Sequence, residues 1–123
     1  MGSHPINLGL RFLLELAALI SIGMWGWKQS PSSIIQFSLA IFLPVIAAAI
    51  WGIFAVPDDP SRSGSAPIPT LGFIRLLIEF TIFTVAFFAL QNLGHEKTSW
   101  VLGILTIIHY SISYDRIIWL LEQ

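Results

Sequence analysis

The chain has 123 residues, of which 55% are hydrophobic and 11% charged, with a formal net charge of −1 and no cysteine. An average soluble domain carries about 25% charged residues, so this chain cannot cover itself with charge, and its mean hydropathy is +0.80. Such a composition excludes a soluble globule, a disordered tail and a nucleic-acid binder, which would need a basic surplus. It also excludes disulfide frameworks, thiolate metal sites and cysteine nucleophiles.

The first four residues, Met-Gly-Ser-His, read as the remnant of an added tag and are set aside. Four apolar blocks follow, over residues 7–27, 33–56, 71–91 and 98–121. Each is long enough to cross a bilayer as a helix, which takes about 20 residues. Arg11 and Glu15 interrupt the first block and no small-residue cleavage site follows Trp27, so it is expected to be a permanent helix rather than a signal peptide. Pro44 lies within the second block and is expected to kink it, opening space near its centre. The longest break, residues 57–70, holds four prolines and several serines, which end one helix and keep the next from starting early. The expected fold is therefore an all-α integral membrane protein, one domain over residues 5–123, with four transmembrane helices in two hairpins.

The hairpins read as a parallel repeat. Arg11-x-x-x-Glu15 in the first block recurs as Arg75-x-x-x-Glu79 in the third, each time just inside the start of a helix. Two spans separate the copies, so both have the same orientation. The basic residues divide four to two, with Arg11, Arg62, Arg75 and Arg116 toward the side of the termini and Lys28 and Lys97 toward the other. This count places both termini in the cytoplasm. Trp51 and Trp119 then fall near the inner interface, and Trp25, Trp27 and Trp100 near the outer one, as aromatic belts require.

Local helix physics does not account for the charged pairs. An arginine at a helix N-terminus faces the positive end of the macrodipole, and Arg before Glu is the weaker order for an i,i+4 pair. A charge at the centre of a membrane helix costs at least about 2.5–3.5 kcal/mol unless it is paired or wetted. Partners are therefore expected across the bundle. The fourth block offers Thr106, His109, Ser113 and Arg116 as a polar stripe, with Tyr110 and Tyr114 beside it. A buried network of Arg11, Glu15, Arg75, Glu79, Asp115 and Arg116 is expected, with Asp58, Asp59 and Arg62 in the loop at its mouth. The outer half of the blocks is free of charge, which favours a pocket facing the cytoplasm over a continuous pore.

Other chemistries find little support. His4, His95 and His109 are scattered without metal-ligand spacing, and Asp58-Asp59 lacks the alternating oxygens of a calcium loop. No glycine-rich phosphate loop occurs, so no cofactor is implied. Ser111, Ser113, His109 and Asp115 lie on one helix and mostly point apart, which argues against a nucleophile triad and an enzyme. Gly23-x-x-Gly26 lacks the Gly-x-x-x-Gly spacing and is not expected to be a packing motif.

Taken together, Arg11-x-x-x-Glu15, the loop Val-Pro-Asp-Asp-Pro-Ser-Arg-Ser-Gly beginning at Val56, Arg75-x-x-x-Glu79 and His109-Tyr110-x-x-Ser113-Tyr114-Asp115-Arg116 resemble the YrdB-like family. These are small bacterial inner-membrane proteins of unknown function. The likeness extends from Asn7 to Leu121. It implies a four-helix membrane protein in the bacterial cytoplasmic membrane, and it implies no reaction, ligand or established site.

Two functions are consistent with the residues, and the first is favoured because two copies of one intramembrane Arg/Glu pair plus the His109 motif exceed what anchoring requires. In the first, the Arg/Glu pairs, Asp115, Arg116 and a gate of His109, Tyr110 and Tyr114 bind or move a small polar or anionic ligand. In the second, the same charges only fix helix packing and a partner-docking face in a structural or accessory subunit. Unpaired arginines around a wet cavity would mark the first, and a closed network the second. Membrane lipid is the expected surrounding, and a homodimer packed through Ala47, Ala48, Ala49 and Gly52 is the expected assembly.

Overall fold

A computed structural model describes residues 5–29, 31–57, 59 and 66–123. It is built from α1 (Pro5–Trp27), α2 (Ser33–Ile53), β1 (Phe54–Ala55), β2 (Ile68–Pro69), α3 (Gly72–Asn92), α4 (Glu96–Ile112) and α5 (Tyr114–Leu121). At about 1.5 Å per residue, α1, α2 and α3 are each about 32–35 Å long, and all three are long and apolar enough to cross a membrane. The fourth block is not one straight helix. It breaks at Ser113, and α5 turns 70° away from α4, so the pair makes a fourth crossing only if the two are counted as one bent span.

The bend has no proline or glycine behind it. Asn7 near the start of α1 brackets it: its Nδ2 donates to Ser113 Oγ at 2.6 Å while its Oδ1 meets His109 Nδ1 at 2.9 Å. The bend has a geometric purpose. In a straight helix Tyr110 and Arg116 would be about 9 Å apart along the axis and point to different faces, yet both reach the same carboxylate, that of Glu79. Beneath the bundle, α5 presses its backbone against the first residue of α3. A Cβ on Gly72 would stand 1.6 Å from the Leu120 carbonyl oxygen, so only glycine fits there.

Helices α1 and α3 run parallel. Arg11 meets Glu79 near their starts, and Trp25 Nε1 donates to Asn92 Oδ1 near their ends. Helix α2 lies against α1, and their closest approach is made by Gly23 and Gly26. A Cβ on Gly26 would lie 2.8 Å from Leu39 O, and one on Gly23 would lie 3.1 Å from Ala40 O. The Gly23-x-x-Gly26 pair is thus a packing motif after all, because the facing backbone and not the residue interval decides how close two helices come. Pro44 contributes to the same contact. It has no N–H to offer the Ala40 carbonyl, and α2 continues through it as a single helix. The backbone of α1 fills the space beside it.

Helix α2 ends at Ile53, three residues before the expected end. Pro57 disfavours helix at Val56, and Phe54-Ala55 instead pair in parallel with Ile68-Pro69, staking both ends of the loop. The core runs through Leu14, Ala18, Ile22, Trp51, Leu76, Phe83 and Leu102. Trp51 belongs to it, packed edge-on against Phe83, and is not an interfacial anchor. Outward, α2 leaves Ile34, Phe37, Ile41, Phe42 and Val45 exposed, an apolar surface that a membrane would cover.

Candidate functional site

Polar side chains gather where the starts of α1 and α3, the end of α2 and the α4–α5 bend come together. Glu79 is the hub, and its side chain is completely buried. Arg11 donates to Oε1 at 3.2 Å and pairs with Oε2 at 3.0 Å. Arg75, one turn earlier on α3, donates through Nε to Oε2 at 2.7 Å. Arg116 spans both oxygens at 2.9 and 2.8 Å, and the Tyr110 hydroxyl donates to Oε1 at 2.6 Å. One carboxylate therefore receives three guanidinium groups from three helices and a phenol from a fourth.

Each arginine carries a second task. Arg11 Nε pairs with Glu15 at 2.9 Å. Arg116 grips Asp59 with two bonds, Nε to Oδ1 at 3.0 Å and Nη2 to Oδ2 at 2.6 Å, the planar fork-to-fork geometry suited to a carboxylate. Arg75 donates to the carbonyls of Phe54, at 2.7 Å, and Trp51. These are the orphan acceptors that the end of α2 leaves behind, at the negative end of its dipole. The unfavourable position of Arg75 at the start of its own helix is thus offset by a favourable one at the end of its neighbour. Among the described residues, Arg11, Arg75 and Arg116 balance Glu15, Glu79 and Asp59, three positive charges against three negative.

The expected constellation is rearranged in three places. Asp115 is exposed, because on α5 it precedes Arg116 by one residue and turns about 100° away from it. The carboxylate that Arg116 uses is Asp59, which is buried rather than stationed at a mouth. Tyr114 is also exposed and does not reach the charges, since the bend carries it to the outer face of α5. His109 is buried but belongs to the Asn7–Ser113 bracket rather than to the cluster, although its ring packs against Tyr110. Its Nε2 has no hydrogen-bond partner among the described residues. Asp58 and Arg62 lie outside the described residues. Asn7 was missed from the sequence: a lone asparagine at a helix start carries no signal of a partner 106 residues away.

A groove of about 660 Å³ runs between α3 and α4, lined by Phe80, Phe83, Phe87, Trp100, Ile104 and Tyr110 among others. Its walls are almost wholly apolar, and among the described residues no arginine lines it. The Tyr110 hydroxyl, the nearest link to the charge centre, is turned inward to Glu79.

The fold and the site define a class: a small all-helical protein with three or four helices able to cross a membrane, tied together by a buried ionic hub. Within that class, the chain belongs to the family described as Protein of unknown function (DUF2568), whose profile matches residues 9–107. It is 46% identical over 120 residues to a protein of Bacillus subtilis (strain 168) described as "Uncharacterized protein YrdB", covering 98% of this chain and 97% of that one. The YrdB-like resemblance is thereby shown. No solved structure matches the chain.

Proposed function

We propose that this protein is a structural or accessory subunit of the bacterial cytoplasmic membrane, in which the Arg/Glu/Asp centre fixes how the helices pack. The observation that carries the reading is the closure of the centre. Each of the three arginines is at most 6% exposed in its side chain and already holds a carboxylate. An anionic ligand would have to break those pairs before it gained its own. The α3–α4 groove, which does offer room, offers no cation among the described residues. On this reading the protein is not an enzyme, and the chain crosses the membrane four times as two parallel hairpins. The recurring Arg-x-x-x-Glu segments on parallel helices support duplication of one hairpin.

A second copy of the chain is the expected partner, meeting the exposed Ala48, Ala49 and Gly52 of α2. Crosslinking in native membranes is expected to trap a dimer, and monomer alone would count against it. The functional reading is tested by native mass spectrometry of gently extracted protein, with Glu79→Gln and Arg75→Gln alongside. Wild type is expected to retain no defined polar small molecule, and both variants to lose their fold or change their oligomeric state. A polar mass held by wild type and lost by folded variants would overturn it and restore the ligand pocket.

A further inference from the structure

The two repeat glutamates have opposite surroundings. Glu79 has no exposed side-chain surface and takes donors from four residues, whereas the Glu15 side chain is 28% exposed and Arg11 is its one hydrogen-bonding partner among the described residues. Glu15 stands ten residues into α1, about 15 Å along a helix about 35 Å long, so it lies near mid-depth. It sits on the seam between the buried stripe of Arg11, Leu14 and Ala18 and the exposed Phe12, Leu16 and Ile20. A carboxylate open to lipid at that depth is costly, and its protonated form much less so.

We propose that Glu15 is a reversible proton-binding site at the edge of the charge centre. The groups that face it are Arg11 on its own helix and, on α3, Arg75 and Glu79. Behind Glu79 stand Tyr110 of α4 and Arg116 of α5, His109 of α4 is turned to Asn7, and α2 brings no charged residue at all. When a proton reaches Glu15, Arg11 gives up its Nε bond but keeps both contacts to Glu79, so no buried cation is left alone. The same event at Glu79 would strip the shared acceptor from three arginines. Proton exchange is therefore confined to Glu15, and the centre moves between net charge zero and +1 without coming apart.

The probe is dicyclohexylcarbodiimide, which partitions into lipid, applied to the full chain in phosphatidylcholine vesicles over a pH series and read by peptide mass spectrometry. The reagent adds across a carboxylic acid: the carboxyl oxygen bonds the central carbon, the acid proton moves to a nitrogen, and nothing leaves. Labelling is expected at Glu15 and not at Glu79, falling about tenfold per pH unit above the group's midpoint. It is expected to vanish in Glu15→Gln while helicity and oligomeric state match wild type. A rate at Glu15 independent of pH, no label at Glu15 at any pH, or preferential label at Glu79 would each overturn the proposal. The structural reading of the centre stands or falls separately, on whether the Glu79 variant folds.

Discussion

At the scale of single residues, the hub makes the two halves of the apparent repeat unequal. Glu79→Gln leaves three buried guanidinium groups around a neutral amide, and breaking a buried charge pair of this kind costs about 3–5 kcal/mol. Glu15→Gln removes a partner from Arg11 alone, which Glu79 still holds, and a smaller loss is expected. Chemical unfolding of the two variants in the same detergent checks the difference, and equal losses would show that the hub is shared evenly. Tyr110→Phe deletes a hydrogen bond to a charged acceptor and is expected to cost about 1.5–3 kcal/mol. The sequence made part of this legible: charges misplaced for their own helices had to have partners elsewhere, and the i,i+4 spacing put each glutamate beside its arginine. Which glutamate would be central was not legible. That choice depends on Arg116, brought in by a bend, and on Tyr110 from α4, neither of which has a counterpart that could serve Glu15.

Secondary-structure elements obey backbone contacts that sequence periodicity does not encode. Four apolar blocks, their breaks and the loop between hairpins follow from composition and proline placement. The break at Ser113 does not, since serine in an apolar run reads as helix and the bracket comes from Asn7, at the other end of the chain. Asn7→Ala would leave Ser113 and His109 buried without that partner, a loss of about 1–3 kcal/mol. Spin-label distances from α4 to α5 are expected to broaden in that variant, while an unchanged distribution would mean that Arg116 alone holds the bend. Gly72 is the stricter test. Its Cβ would overlap the Leu120 carbonyl, so Gly72→Ala is expected to lift α5 from α3 and expose Leu120 to proteolysis or labelling.

On the scale of the whole molecule, pairing does not change what the basic residues say of orientation. Three of the four arginines counted toward the side of the termini are neutralised inside the hub. Orientation is set as spans insert, before the hub can close, so the count of four basic residues against two applies as it stands and places both termini in the cytoplasm. A reporter fused after Gln123 is accordingly expected to be active inside the cytoplasm, and activity only outside would reverse the orientation.

The hub also imposes an order on synthesis. Arg11, Glu15, Asp59, Arg75 and Glu79 are all translated before Arg116, and without it these five sum to a net charge of −1. The centre therefore stays half made until α5 brings Arg116 to Asp59 and Glu79. A chain that stops short of Arg116 lacks α5 and the guanidinium that bridges Asp59 to Glu79, while Arg11 and Arg75 still meet Glu79, so the C-terminal segment completes the hub rather than starting it.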